Sequence, residues 1–258
     1  MNFKRQVIKL LLTTAPFFFF HISAFATWSI IVLDNKTQTI GVAGASCTFQ
    51  VSGIAKIITG KGVIIAQAYS DDGITNKGID LLRNNASPLD ILQALKDTTF
   101  DKEVTFRQYG ILTFNHYDKP ITFTGDSISY YPYAATSTSP GISVQGNTLA
   151  DKKVVEEVHK AVLEARKKNL SMEEILMIAL EAGSKFGGDK RCGTQTATTA
   201  FIQIVKPTDT YCSYLLLRIE GIKKGGLNAI KVIRKELNRL STQLANNKCT
   251  DVAIYPKD

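Results

Sequence analysis

The chain has 258 residues, with 31 lysines and arginines against 23 acidic residues and a formal net charge of +8 at pH 7. Its composition is that of an ordinary folded protein, which argues against a disordered chain, a collagen-like repeat and a bundle of membrane helices. Because the excess of cations is modest and spread along the sequence, it gives no indication of nucleic acid as a partner.

The beginning of the chain has the pattern of a secretory signal peptide. Cations precede a mainly apolar run over residues 10–20, and the small residues Ala24 and Ala26 follow that run. A helix that spans a membrane needs about 20 apolar residues, so this run is too short. We therefore predict a signal peptide over residues 1–26, cleavage after Ala26, and a periplasmic or secreted protein without membrane attachment after cleavage.

Hydrophobic periodicity and turn residues predict groups of strands alternating with pairs of helices over residues 27–258. Strands are predicted at residues 28–33, 39–46 and 62–68, then at 107–114 and 120–124, and then at 196–205 and 213–219. Helices are predicted at residues 74–84 and 88–95, at 151–168 and 171–180, and at 227–244 within a C-terminal amphipathic helix and tail, 221–258. Residues 130–141 are rich in Tyr, Ser, Thr and Pro and are predicted to form a loop.

This order of elements indicates a single mixed α/β domain. Strands in adjacent hairpins, with helices inserted in pairs, favour stacked sheets covered by helical layers over a parallel sheet of βαβ units. No glycine-rich loop follows the first strand, so the pattern argues against a Rossmann or P-loop nucleotide site.

Cysteine usage is typical of an exported protein. The four cysteines all follow residue 26, and an even number in an oxidising compartment predicts two disulfides and no free thiol. Four cysteines allow three pairings, and the sequence does not choose among them. Because the cysteines form no CxxC pair and the two histidines of the mature part lie in unrelated contexts, we predict neither a zinc site nor any other metal or cofactor.

Cleavage after Ala26 would have a chemical consequence, because it would place Thr27 at the N-terminus of a strand. A threonine hydroxyl is a poor nucleophile on its own, but a free α-amino group on the same residue can act as its base. The ordinary pKa of an α-amino group, about 7.7–8.0, suits a group that must accept and return a proton. The alternative is that Thr27 merely begins a strand after a routine cleavage site.

A set of eight short segments resembles, in the right order, the bacterial and archaeal family of unknown function DUF1028. The segments are TWSIIVLD (27–34), GVAGAS (41–46), GKGVIIAQA (60–68), GIDLLRNNASP (78–88), RQYGIL (107–112), FTGDS (123–127), VQGNTLA (144–150) and GGDKRCG (187–193). The family is placed in the superfamily of N-terminal-nucleophile (Ntn) hydrolases. The resemblance implies an α/β fold with a four-layer αββα sandwich of the Ntn-hydrolase type, and amide-bond hydrolysis through an acyl-enzyme on Thr27.

Two polar segments within the resemblance contain further candidate site residues. Asn147 is a candidate donor to an oxyanion or to substrate, with Gln145 as a substrate-binding residue on the same strand end. Asp189 is a candidate to orient the α-amino group, and Arg191 a candidate to bind a substrate carboxylate. The alternatives are that Asn147 is a turn residue and that Asp189 and Arg191 form a surface ion pair.

Strand ends supply the remaining candidates and the limits of the prediction. Ser46 and Gln67 end their strands and are candidate substrate-binding residues, expected to line the same end of the sheet as Thr27, or else to be buried and bonded to backbone. At Arg107, a structural ion pair is favoured over a substrate contact. The expected partner is a small-molecule or peptide amide, including cell-wall fragments, whereas the oligomeric state, including a homo-oligomer, stays open.

Two functions of other classes remain open. The first is a cysteine hydrolase, for which Cys47 with His116 or His159 is the available pair, although His159 is expected to face solvent. The second is a non-catalytic secreted binding module that retains the sandwich, with the basic last helix contacting an anionic surface. A solvated helix face is the commoner meaning of such a basic run.

Overall fold

The computed structural model describes residues 27–69, 72–129, 133–244 and 249–256, apart from the side chains at positions 129 and 243. The predicted signal peptide, residues 1–26, lies outside this described part. The described part forms a mixed α/β domain. The helices are α1 (Asp72–Arg83), α2 (Pro88–Leu95), α3 (Asp126–Ser129), α4 (Lys153–Lys167), α5 (Met172–Lys185) and α6 (Ala229–Leu244). The strands are β1 (Thr27–Asp34), β2 (Thr39–Ser46), β3 (Ala55–Ile58), β4 (Gly62–Ala68), β5 (Arg107–Thr113), β6 (Ile121–Thr124), β7 (Ala135–Ser139), β8 (Ile142–Asn147), β9 (Thr199–Val205), β10 (Leu215–Ile219) and β11 (Thr250–Ile254).

The described strands form two sheets. The larger has the order β11-β10-β9-β2-β1-β8-β7, and the smaller has the order β3-β4-β5-β6. Neighbours are antiparallel except β10 and β11, which are parallel. Within the larger sheet β1 lies between β2 and β8, so that Thr27 is opposite Ser46 on one side and Asn147 on the other.

Alternating side chains of β1 enter two different cores. Trp28, Ile30 and Val32 pack with α4, α5 and α6 on one face of the larger sheet. Ile31 and Leu33 belong to a second core that contains residues of β4 and β5 from the smaller sheet. A third core joins the smaller sheet to α1 and α2. The layers therefore follow in the order helices, larger sheet, smaller sheet and helices, with one core between each pair of neighbouring layers.

The helix starts follow their sequence signals. Ser87 caps α2 with a capping box, in which its hydroxyl accepts from the Asp90 N–H and the Asp90 carboxylate accepts from the Ser87 N–H. Ser171 caps α5 by accepting from the N–H of Glu174.

Four strands are not among the predicted ones: the internal strand β8, of which the sequence indicated only the end at residues 145–147, and three strands at sheet edges. β7 lies within the segment that was predicted to be a loop, β3 precedes the predicted buried strand β4, and β11 lies in the predicted tail. β7, β3 and β11 occupy the ends of the sheet orders, and β7 is half exposed. Short edge strands are specified by pairing with their neighbours, and their own sequence carries little apolar periodicity.

Both predicted disulfides are present, and their pairing is now defined. Cys47 pairs with Cys192, and Cys212 pairs with Cys249, so none of the four cysteines in the described part is a free thiol. Disulfides persist in oxidising, extracellular environments. No helix in the described residues is both long and apolar enough to cross a bilayer.

Candidate active site at the start of the first strand

Thr27 is the first residue of β1 and is completely buried. By alternation with Trp28 its side chain belongs to the face of β1 that turns toward the smaller sheet. Its hydroxyl Oγ1 has no hydrogen-bond partner among the residues that the structure describes. A buried hydroxyl is nearly always bonded, and leaving one unpaired costs about 1–3 kcal/mol. An unpaired hydroxyl at this position therefore calls for an explanation.

Gln67, which lies near the end of β4, links the smaller sheet to the start of β1. Its Nε2 donates to the Thr27 carbonyl at 3.4 Å, and its Oε1 accepts from the Ser29 hydroxyl at 2.6 Å. The same Nε2 donates to Gln108 Oε1 at 2.7 Å. Gln67 thus fixes the backbone of Thr27 across the gap between the sheets, from the smaller sheet and not from the sheet of Thr27 itself.

Gln108 on β5 is the centre of this buried network. Its Oε1 also accepts from Asn147 Nδ2 at 3.0 Å, and its Nε2 donates to the Gly146 carbonyl and to Thr124 Oγ1, each at 2.9 Å. Asn147 therefore lies beside Thr27 in the sheet, with one amide proton bonded to Gln108. In the sequence, Gln108 was identified only as part of the segment RQYGIL beside Arg107. One glutamine in each of three strand segments, Gln67, Gln108 and Gln145, was the signal that could have identified it.

Gln145 precedes Asn147 by two residues on β8 and is opposite Ser29 in the sheet. Its Nε2 donates to Ser29 Oγ at 2.7 Å, and its Oε1 accepts from Ser143 Oγ at 2.7 Å. A Cβ at Gly110 would come within 2.3 Å of Gln145 Oε1, so glycine is required on β5 to admit this amide. The structure therefore places Gln145 inside the network and away from the Thr27 end, and its predicted role in substrate binding stays a prediction.

The other side of Thr27 is held by a short loop after α5. The Asp189 carboxylate is fully buried, and its Oδ2 accepts from the Cys47 N–H at 2.7 Å and from Arg191 Nη2 at 2.8 Å. Arg191 Nε donates to Oδ1 at 3.1 Å, which makes the pair bidentate. Asp189 is therefore part of a buried anchor, and the alternative of a surface ion pair does not describe it.

Ser46 connects this anchor to Thr27, its partner in the sheet. Arg191 Nη2 lies 3.4 Å from Ser46 Oγ, and the Cys47–Cys192 disulfide ties the same loop to the residue after Ser46. The arrangement fixes the end of β2 next to Thr27, so Asp189 acts on Thr27 through β2. A direct contact of Asp189 or Arg191 with an α-amino group or a substrate stays a prediction.

The ion pair expected at Arg107 is present at the start of β5. Arg107 Nε and Nη2 each donate to the Asp101 carboxylate at 3.0 Å, and both side chains are almost fully buried. The pair anchors the strand that carries Gln108.

A cavity of about 450 Å³ opens beside Thr27. Its walls are the start of β1, the end of β4 and the segment that follows β2. The residues that face it include Thr27, Thr48, Phe49, Val51, Ile54 and Gln67. A volume of this size lies within the range of small-molecule sites.

The structure also bears on the other predicted functions. Cys47 is in a disulfide, so it offers no thiolate in the oxidised protein. His159 is half-buried, and its two ring nitrogens lie 2.9 Å from the hydroxyls of Ser137 and Ser139, so the expectation that it faces solvent is wrong. Burial lowers the pKa of His159. No group of three or more His, Cys, Asp or Glu side chains in the described part of the chain is arranged to hold a metal ion.

The basic face of α6 is partly used within the fold. Arg234 Nη1 donates to Glu174 at 2.6 Å, and its Nε donates to Glu181 at 2.7 Å, both on α5. This face therefore contributes to holding α6 against α5.

Comparison with known proteins adds two findings. Residues 27–226 match a family described as "Family of unknown function (DUF1028)". The crystal structure of protein SPO2555 from Silicibacter pomeroyi, assigned to DUF1028, is similar with a TM-score of 0.70 and 21% identity, over 86% of this chain and 92% of that chain. At this identity the likeness concerns the fold. No curated protein matches the chain.

Proposed function

The chain belongs to the DUF1028 family, and from this premise we propose that it is an exported N-terminal-nucleophile amidohydrolase that acts through Thr27. The fold would then be the αββα sandwich of that superfamily, to which the succession of helices, sheet, sheet and helices lends support. Residues 1–26 would be removed as a signal peptide, and the mature protein would be periplasmic or secreted. The two disulfides support an oxidising location.

One observation carries this proposal. The first residue of the matched family region is a threonine whose buried hydroxyl has no described partner and which lines a cavity of substrate size. A nucleophile must keep its oxygen free of competing hydrogen bonds and must face the space that the substrate will fill. Thr27 meets the first requirement through its unbonded, buried hydroxyl, and the residue itself lines the cavity. Ser29, on the same face of β1, is bonded to Gln67 and Gln145.

The chemistry follows from the position of Thr27 at the new chain end. Its Oγ would attack the amide carbonyl while its α-amino group accepts the hydroxyl proton, and the same amine would return that proton to the departing amine of the substrate. The C–N bond breaks and an ester to Thr27 remains. Water, deprotonated by the α-amino group, would then cleave the ester, so that one amide and one water give one carboxylic acid and one amine.

The neighbouring residues would keep this geometry. Gln67 holds the Thr27 carbonyl, and the Asp189 anchor holds the end of β2 beside it. Asn147 Nδ2 has a second proton beyond the one given to Gln108, and that proton is the proposed donor to the oxyanion. Removing one such donor in an acyl-transfer site lowers kcat by about 10²–10³.

Labelling of the exported mature protein by an electrophilic amide-hydrolase probe tests the proposal. We expect one adduct on Thr27 in the wild type and in Thr27→Ser, which keeps a hydroxyl, and no adduct in Thr27→Val, which replaces the hydroxyl by a methyl group of similar size. Labelling that survives in Thr27→Val would contradict the proposal. Absence of labelling and of amide hydrolysis in a folded wild-type protein would favour the non-catalytic binding module.

A further inference from the structure

The cavity beside Thr27 differs from the network beneath it in the kind of group that it presents. Among the described residues that line it, none is charged, and the larger apolar contributions come from Phe49, Val51 and Ile54. Val51 and Ile54 are buried and belong to the apolar core between the sheets. The cavity wall is therefore an extension of that core.

Apart from the Thr27 hydroxyl, the polar side chains of Gln67, Thr48 and Gln50 at the cavity are hydrogen-bonded within the protein. The Gln67 amide is hydrogen-bonded to the Thr27 carbonyl, the Ser29 hydroxyl and Gln108 Oε1. The Thr48 hydroxyl donates to the Gln50 carbonyl at 3.0 Å, and Gln50 Nε2 donates to Ser52 at 3.2 Å. A charged group that entered this cavity would lose part of its hydration and gain no opposite charge from the described residues that line it, which is unfavourable.

The ion pair nearest the site does not change this conclusion. Arg191 reaches Ser46, but its guanidinium is held bidentately by the buried Asp189 carboxylate, which compensates its charge. A substrate carboxylate would have to compete with that intramolecular pair.

In the proposed reaction the acyl part of the substrate is bound to Thr27 from the first step until water releases it in the second, whereas the amine must leave and water must enter between the two steps. A cavity built into the fold next to Thr27 suits the part that stays. Resting on the proposed function, we infer that this cavity binds the acyl group of the substrate and selects an uncharged, apolar acyl chain, with the segment from Thr48 to Ile54 as its specificity-determining wall.

Gly53 offers a direct way to change the size of the cavity. Gly53 is exposed and lines the cavity, a Cβ built on it would meet nothing within 4 Å, and its φ lies outside the left-handed region, so the backbone tolerates a larger side chain there. We therefore expect Gly53→Leu to narrow the mouth of the cavity without disturbing the core. Leu89→Ala, on an exposed apolar residue of α2, is the matched surface control.

The binding experiment uses mature Thr27→Val protein, which cannot turn over, and measures the affinity for a series of primary amides by calorimetry. We expect hexanamide to bind, each methylene removed from it to weaken binding about fourfold, and 6-aminohexanamide and adipic acid monoamide to bind at least tenfold more weakly. Gly53→Leu should abolish the dependence on chain length, and Leu89→Ala should leave it unchanged. Equal or tighter binding of the charged amides, no dependence on chain length, or no binding at all would overturn the inference.

Turnover of the matching anilides by the wild type separates this inference from the proposed function. We expect the ratio of kcat/KM for hexanoyl over acetyl anilide to fall at least tenfold in Gly53→Leu. Hydrolysis with a preference for charged acyl groups would overturn the acyl pocket and leave the nucleophile intact. The expected binding series without hydrolysis or Thr27 labelling would overturn the proposed function and leave the pocket intact.

Discussion

The space between the two sheets is polar at one end of β1 and apolar at the other. Thr27 and Ser29 contact or adjoin a network of buried amides, whereas Ile31 and Leu33, on the same face of the same strand, enter an apolar core. Apolar burial supplies most of the stability of a fold, whereas a buried hydrogen bond adds a net of only about 0.5–1.5 kcal/mol. The Ile31 end therefore stabilises the contact between the sheets, whereas the Thr27 end mainly positions the residues of the candidate site.

Ile31→Ala should have the largest effect on stability. Ile31 is completely buried between the sheets, and truncating a buried isoleucine to alanine costs about 2–5 kcal/mol in the free energy of unfolding. Thr27→Val should change that free energy far less, because it removes a hydroxyl that has no described partner. Denaturant unfolding of the two variants compares the two ends of β1, and an equal loss at both ends would remove the distinction.

Loss of the Cys47–Cys192 bridge should rank next. Removing a native disulfide costs about 2–4 kcal/mol, and here it also releases the loop that places Asp189 against the Cys47 N–H. We expect the double variant Cys47→Ala with Cys192→Ala to unfold at lower denaturant and to lose labelling of Thr27. The Cys212–Cys249 double variant is the control, since that bridge lies away from Thr27, and it should keep its labelling. Loss of labelling in both would argue against a local effect.

Gln108→Leu should destabilise the polar end by about 1–3 kcal/mol. It leaves the Gly146 carbonyl without this donor and removes the acceptor of both Gln67 and Asn147. Thr124→Val, which removes one bond of the same amide, should cost less. Thermal unfolding of both variants gives the order, and a neutral Gln108→Leu would show that the network adds no stability.

Stability at acid pH should show a small effect of His159. Burial lowers the pKa of His159 in the folded state below its ordinary value of 6.5, so the unfolded chain binds this proton more readily. Its contribution to stability is therefore present above about pH 6.5 and is lost as the pH falls through the folded pKa. The free energies of unfolding of wild type and His159→Gln, measured between pH 5 and 8, should depend on pH in the same way near neutral pH, and that of wild type should fall more steeply below it. Parallel profiles would contradict the assignment.

The sequence predicted much of the fold because its central elements carry strong local signals. The strand that became β1 is rich in β-branched and aromatic residues, β4 is a nearly continuous apolar run, and Ser87 and Ser171 mark helix starts. Edge strands such as β7 and β11 were not predicted, because pairing with their neighbours specifies them more than their own sequence does. The pairing of cysteines escaped for a similar reason: Cys47 and Cys192 are 145 residues apart, and only the tertiary fold brings them together.

The location of the candidate site was predictable from the sequence, but most of its hydrogen-bond partners were not. Thr27, Ser46 and Asn147 do meet at one end of the larger sheet, as positions at strand ends indicate. The central place of Gln108 depends on the register between β4 and β5 and on the packing of one sheet against the other, neither of which a single sequence displays. Side-chain partners across layers are therefore the part that required the structure.

The central claim is that cleavage at one peptide bond creates both the mature chain and its catalytic base. Determination of the N-terminus of the exported protein, by intact mass and Edman degradation, tests it most directly. The account predicts a chain that begins at Thr27 with a free α-amino group. A chain that begins at any other residue, or one whose Thr27 amine is blocked, would contradict it.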